Sequence, residues 1–307
     1  MRNPLIDSYR CKNNFKEYRT RKLRYSLFKK LSRNALPLFF KGGDIISIDP
    51  IANGLYEPDV KSLIEHFADN GFNDFLLDIG ANIGLSSCQS GRKFKELHLF
   101  EPNPNCVSIL KINANIALRG VPYNIHEFGL GSSSATLQLY VPYDNWGGAF
   151  VKSSENEYDE SLLSAKDGYG TFNRDNYDVL PVQIESASRV LTEIFDKLKA
   201  QGHTRGVIKV DAEGYEKFIV NTVLAVKPQG MECAVIFENW KNQVSVADYF
   251  SSFPTQGCLF RLDNDKTLYS SAPRWFNSLM NLLRGGFSHV LKEVQGELSG
   301  GTYLLVI

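Results

Sequence analysis

Short runs of consecutive apolar residues, each bounded by acids or glycines, recur along the chain as "DFLLDIG", "ELHLFEP", "GVIKVDAEG" and "CAVIFENW". Such runs predict strands buried on both faces, as in parallel sheets. Between them the apolar spacing becomes helical. "PDVKSLIEHFADNG" predicts a helix from about Val60 to Ala68, closed by Gly71. A short helix is expected around Leu85–Ser90. "NCVSILKINANIAL" predicts a helix with Val107, Leu110, Ile112 and Ile116 inward, and "YEKFIVNTVLAV" predicts another. "IISI" at 45–48, "YNIHEFGLG", "ATLQLYV", "DVLPVQI" and the final "TYLLVI" read as further strands. Strands alternating with helices imply right-handed βαβ crossovers, hence an α/β, Rossmann-like, doubly wound and mostly parallel sheet. In such open sheets ligands sit beyond the carboxyl ends of the strands. Asp78, Glu101, Glu127, Asp211 and Glu238 all stand at such ends, so the pattern predicts one acid-lined rim.

Two regions depart from this alternation. Residues 142–178 are acidic, rich in Gly, Ser and Asn, and dotted with aromatics such as Tyr143, Trp146, Phe150 and Tyr158. Disordered segments are poor in aromatics, so an ordered cap over an acceptor site is expected there. The other region is the N-terminus. Lys/Arg and Asp/Glu balance at 34 each over the chain, yet residues 1–45 hold twelve bases and three acids. Tyr25–Leu36 reads as an amphipathic helix with Leu27, Phe28, Leu31 and Ala35 as its stripe, stopped by Pro37. The chain divides into a basic helical arm, 1–44, and a domain, 45–307, with 142–178 inserted as the cap. The arm suits anionic lipid headgroups or a polyanion. The five scattered cysteines form no CxxC pair, and there is neither a leader-like apolar segment nor a run of 18 apolar residues. A cytoplasmic protein, peripheral to the inner membrane at most, is expected.

The candidate chemistry centres on "LLDIGANIGL" at 76–85. A glycine turn between strand and helix brings a ligand close to backbone and to a helix N-terminus. Glu101 ends the next strand, at the distance that suits a hydrogen bond to ribose hydroxyls. Asp78 stands where a pyrophosphate would suffer repulsion, and suits the ammonium of an amino acid instead. Asn82 tolerates the left-handed conformation and its amide can bond a carboxylate. A ribonucleoside joined to an amino acid satisfies all three, and that ligand is S-adenosylmethionine.

"LLDIGANIG", "LFEPNP" and "IKVDAEGYE", in this order, resemble the FkbM-type methyltransferases, a branch of the S-adenosylmethionine-dependent Rossmann-fold enzymes. "GLYEP" at 54–58 is similar to the family's opening segment. The resemblance covers about residues 45–240 and implies a seven-stranded methyltransferase sheet and O-methylation, often of sugar or polyketide hydroxyls. Carried over by position, it implies that Asp78, Gly80, Asn82 and Gly84 line the methionine end of the cofactor, Glu101 the ribose, and Glu127 with Phe128 the adenine. Where the family often has T-L-D, this chain has "VQIESAS", so no role passes to an acid there.

A sugar hydroxyl is a poor nucleophile, so a base or a metal is expected to help. Asp211 and Glu213 are the first candidates for the base, with Glu57 and His126 behind them. A divalent metal is left open at Asp211 and Glu238. His126 points away from its neighbours on the strand and reads better as a packed histidine. Lys209, inside a strand, is expected to pair with an acid. The aromatics and carboxylates of 142–178 suit a carbohydrate, and the basic arm suits a lipid-linked glycan, such as a precursor of a bacterial surface polysaccharide (a lipopolysaccharide O-antigen). Homo-oligomers are left open. Two other enzyme classes share the fold: an RNA methyltransferase gripping phosphates with the arm, and a nicotinamide-dependent sugar oxidoreductase. The acidic rim weighs against nucleic acid; Asp78 and the missing central glycine of a dinucleotide fingerprint weigh against nicotinamide. A non-catalytic binding module is the remaining class.

Overall fold

The computed structural model describes residues 23, 25–27, 29–30, 37–153, 156, 158, 162, 172–241, 244–250, 258–264 and 289–307. Helices α1 (Ile45–Asn53) and α2 (Pro58–Asp69) lead into β1 (Phe75–Ile79), α3 (Leu85–Ser90), β2 (Glu96–Phe100), α4 (Pro104–Ala117) and β3 (Tyr123–His126). Next come β4 (Gly129–Gly131), β5 (Ala135–Pro142), β6 (Phe150–Val151) and β7 (Tyr177–Ser186). The wound pattern resumes with α5 (Ala187–Ala200), β8 (Arg205–Val210), α6 (Glu216–Val226) and β9 (Glu232–Asn239). The described course ends with β10 (Val244–Ser245), α7 (Val246–Tyr249), β11 (Leu259–Asn264), β12 (His289–Glu293), β13 (Glu297–Leu298) and β14 (Gly301–Val306).

The main sheet has the order β12-β11-β14-β9-β8-β1-β2-β3. Its centre is parallel, β3 through β9, and β14 runs antiparallel between β9 and β11. β1 is buried at every position because helices cover both faces. Alternate residues go to opposite layers: Phe75, Leu77 and Ile79 pack with α5 and α6, whereas Leu76 packs with α2 and α4. The α/β, doubly wound and mostly parallel expectation holds. The described sheet has eight strands rather than seven. The additional edge strand, β12, is half-buried or exposed throughout and carries Lys292 and Glu293, so no apolar run announces it.

Other expectations change for local reasons. "IISI" is the first turn of α1, not a strand. Ser47 and Pro50 are buried while Ile45 and Ile48 are exposed, a three-residue spacing that four apolar letters cannot distinguish from a strand. On α4, Ile112 is exposed and Ile116 half-buried, while Asn113 is fully buried. "YNIHEFGLG" splits: β3 joins the main sheet and β4 the smaller one, whose order is β4-β7-β5-β6. Helix α5 went unread in the sequence although Val190, Leu191, Ile194, Phe195 and Leu198 mark its buried face. Leu23, Tyr25–Leu27, Lys29 and Lys30 are helical, and the rest of the predicted Tyr25–Leu36 helix lies outside the described residues.

Asn113 explains why the boundary drawn at residue 45 falls inside a docked segment. Its Oδ1 accepts from the Phe39 N–H at 2.6 Å, and its Nδ2 donates to the carbonyls of Phe39 at 3.0 Å and Ile83 at 2.8 Å. One amide thus ties residues 38–40 and the glycine turn to α4, and Leu38 and Phe40 pack beside Ile83. Asn113→Leu leaves two carbonyls and one N–H without partners. We expect a loss of about 3 kcal/mol of stability, read as a lower urea midpoint at unchanged slope. A loss below about 1 kcal/mol would show that the clamp does not hold this segment.

Candidate functional site

A cavity of about 320 Å³ opens at the carboxyl ends of β1, β2, β8 and β9, within the range of small-molecule sites. One end is apolar, walled by Phe100, Phe128, Leu130, Leu139 and Ile184. The other holds Glu57, Asp211, Glu213, Glu238 and the buried Lys209. Residues 145–151 of the segment read as the cap line the cavity. With Ile45, Ile46 and Tyr56 they close over the glycine turn, where Ile46, Tyr56 and Trp146 pack against Ile83 and Leu85. The cap's aromatics Phe150, Phe172 and Tyr177 pack on one another and on Tyr140 of β5, with Tyr158 beside them. Asn156 fastens it by donating to the carbonyls of Val151 at 2.9 Å and Glu213 at 3.0 Å. Tyr169 lies outside the described residues.

The glycine turn joins β1 to α3 in three left-handed steps, at Gly80, Asn82 and Gly84, with φ of 87°, 51° and 88°. A Cβ on Gly80 would lie 1.8 Å from the Asp211 carbonyl oxygen, so the glycine is required where β1 and β8 converge, whatever the ligand. A Cβ on Gly84 would strike Leu110 at 2.7 Å, and Gly84 is absent from the cavity lining. Asn82 lines the cavity and spends its side-chain oxygen on the N–H of Ile83 at 2.7 Å. Glu101 accepts from the Asn82 N–H and the Asn103 N–H, both at 2.8 Å, bridging the turn to the start of α4. Burial is the main force on its carboxyl and pushes it up to about 7, against those two N–H groups and with repulsion from Asp78 and Asp211.

Asp78 was expected at the cofactor. The structure places it 1% exposed, behind the lining residues, where it accepts a hydrogen bond from Ser87 and faces Lys209 at 3.8 Å. Its Oδ1 has no hydrogen bond. Lys209 donates to Asp211 at 2.9 Å, the pairing expected of a lysine inside a strand. Burial works against its charge, but Asp211, Asp78 and Glu57 outweigh it and hold the ammonium well above its usual range. Glu57 caps α2 in the left-handed conformation, φ 40°, just before Pro58, a backbone strain uncommon outside glycine. Burial raises its carboxyl, Lys209 pulls it back, Asp211 and Glu238 raise it again, and it comes to about 8. Glu213 is buried and lines the cavity before α6 begins, so it is not a first-turn helix acid. Glu238 accepts from the indole N–H of Trp240 at 2.9 Å. Among the described residues no three His, Cys, Asp or Glu side chains are arranged to hold a metal ion.

Glu127 does not join the rim. It is exposed and pairs with Lys111 at 2.6 Å, because the chain leaves β3 there for the second sheet; its neighbour Phe128 does line the cavity. His126 is the packed histidine expected. It stacks on Phe100 with centroids 4.3 Å apart and meets His98 at 3.0 Å, and burial lowers it to about 4. Sequence reasoning missed Glu216, which is buried and binds the N–H groups of Ala212 at 3.1 Å and Gly214 at 2.9 Å, shaping the loop that presents Asp211 and Glu213. The second acid of "EGYE" was its signal. Tyr56 was missed as well; its backbone is held on both sides by the amide of Gln89.

The sequence matches the family model of the methyltransferase FkbM domain over residues 78–261. "Methyltransferase sdnD" from Sordaria araneosa is 35% identical over 159 residues, which is 49% of this chain and 61% of that protein. The chain thus spans less than two thirds of that relative's length. Among solved structures, an O-methyltransferase from Bacillus cereus in complex with S-adenosylhomocysteine is 10% identical, covering 99% of this chain and 96% of that one at a TM-score of 0.36. A SAM-dependent methyltransferase from Agrobacterium tumefaciens is 8% identical, covering 81% and 62% at the same TM-score. The cavity suits the cofactor that the family match implies: an apolar end for a base, Glu101 beside it for ribose hydroxyls, and an acidic end for a sulfonium and an ammonium. The chain belongs to the FkbM methyltransferase family.

Proposed function

We propose that this chain is an O-methyltransferase that places the methyl group on a hydroxyl of a carbohydrate, in a bacterial surface glycan or its lipid-linked precursor. The observation that carries the reading is Glu57. A carboxyl raised to about 8, on a strained backbone at the cavity wall, is matched to taking a proton near neutral pH. Asp211 is the weaker base, because the Lys209 ammonium at 2.9 Å stabilises its charged form. Trp240, exposed at the cavity edge with Glu238 fixed to its indole, offers an apolar ring beside a carboxylate, the pair of surfaces that a sugar presents. The basic arm supports the lipid-linked form of the acceptor through anionic headgroups.

Bound S-adenosylmethionine supplies a methyl carbon activated by its sulfonium. Glu101 accepts the ribose hydroxyls and sets the cofactor's register, and the Phe100–Phe128 wall takes the adenine. The acids at the far end favour the positive head. Glu57 would receive the proton of the acceptor hydroxyl as its oxygen takes the methyl group that the bound sulfonium would supply. Lys209 keeps Asp211 charged and in place beside that line of transfer. With the family established, the nicotinamide alternative falls away.

Two measurements test this reading. Calorimetric titration with S-adenosylhomocysteine is expected to give micromolar affinity. Since Glu101 titrates at about 7 when free and the ribose hydroxyls favour its ionised form, affinity should rise with pH up to about 7 and then level off. Glu101→Gln should bind at least about tenfold more weakly with a flat profile; an unchanged affinity would remove Glu101 from the ribose. For chemistry, labelled methyl transfer to a panel of free sugars should rise with pH through about 8, as Glu57 ionises. Glu57→Gln should lose about 100-fold in rate, and that rise with it, while keeping its affinity for S-adenosylhomocysteine. A mutant with the wild-type pH profile would exclude Glu57 as the base.

A further inference from the structure

Helix α1 packs inward through Ile46, Ser47 and Pro50. Its outward side is apolar: Ile45 is 54% exposed and Ile48 61%. The same surface continues on both flanks. Phe39 is 57% exposed and Leu55 40%, and Tyr143 of the cap is exposed too. Hydrogen bonds join these pieces, from the Ile45 N–H to the Asp144 carbonyl at 3.1 Å and from the Lys41 ammonium to the Tyr143 carbonyl at 2.6 Å. Ile45 also lines the cavity, so the cavity opens at the edge of this face. An exposed apolar strip beside a site mouth calls for an occupant.

We propose that the face formed by Phe39, Ile45, Ile48 and Leu55 docks on an anionic lipid bilayer, turning the cavity mouth towards the membrane surface. The occupant follows from charge. Two exposed acids flank the strip, Asp49 and Asp144, but residues 1–55 hold twelve Lys/Arg against four acids. A second copy would double this positive charge and add repulsion, whereas an anionic bilayer answers both the apolar strip and the surplus of basic residues. Nine-residue α1 is about 13 Å long, far short of a bilayer core. Among the described residues no helix is long and apolar enough to cross a membrane. The contact is therefore one of lying on the surface. A hydroxyl held near the headgroups would reach the cavity without leaving the membrane.

Flotation of the full chain with phosphatidylcholine vesicles, with and without phosphatidylglycerol, tests this. The wild type should float with the anionic vesicles only. The double variant Phe39→Asp/Ile48→Asp changes side chains outside the cavity lining, and an unchanged titration with S-adenosylhomocysteine shows that its fold is intact. Its vesicle-bound fraction should fall about tenfold, and the difference should persist at about 0.5 M salt, where exposed charges are screened within a few Å. A variant that floats as well as the wild type would overturn the proposal, as would a wild type that stays with no vesicle. Sedimentation that shows a wild-type dimer and a monomeric variant would assign the face to a second copy and overturn it as well. None of these outcomes depends on the acceptor or on Glu57, so the docking face and the proposed reaction fail separately.

Discussion

Lys209 sits under the cavity floor as a buried ammonium facing three carboxylates, and the strand ends around it depend on that charge. Its place in β8 is opposite Asp78 in β1, and it reaches Asp211 one turn of the pleat further on. Burying an ammonium costs several kcal/mol, and here close acids offset it. Remove the positive charge and Asp78, Asp211 and Glu57 are left to repel one another in a poorly solvated pocket. The lysine thus does two jobs. It allows β1 and β8 to end side by side with their acids in register, and it differentiates those acids. Asp211 is held charged, while Glu57, further from the ammonium's full effect, is free to exchange a proton.

Much of this was legible in the sequence because it follows from continuous burial. The runs around Leu76, Leu97, Ile208 and Val235 could only be central strands, and the parallel sheet follows from them with its acid-bearing ends. Glu101, Asn82 and Asp211 were found because a strand end and a left-handed turn limit where a side chain can go. What was not legible depends on tertiary partners. Nothing local says that Ile45–Ile48 should coil rather than extend, since the difference lies in Ile83, Trp146 and Tyr56 packing from afar. Nothing local separates Glu127 from Glu101 either: β3 ends level with β2, His126 opposite Phe100, and only beyond that rung does the chain cross to the second sheet. Asp78 shows the converse: its position was read correctly, but its carboxylate turns behind the turn instead of into the space in front of it.

The glycines also carry a different meaning in three dimensions. Gly80 answers to the Asp211 carbonyl and Gly84 to Leu110, so both describe how a strand, a turn and a helix fit together. With its two oxygens Glu101 holds the turn and the start of α4 through their N–H groups. The residue proposed to meet the ribose is therefore also the one that positions the loops around it.

The docked N-terminal segment has a consequence for how the chain assembles. β1, β2 and α4 follow one another in sequence, with the glycine turn among them. The N-terminal segment and the cap that close over that turn are held by pairs 102 residues apart, Lys41 with Tyr143 and Asp44 with Trp146, and by Phe39 with Asn113 across 74. Closing such long loops carries an entropy cost that local units do not bear. In refolding, the β1–β2–α4 unit is expected to acquire protected amides before the N-terminal segment and cap that close over it, an order that pulsed hydrogen exchange reads directly. The cover over the glycine turn is then the part of the cavity that forms late and opens first, on a floor that is stiff and early.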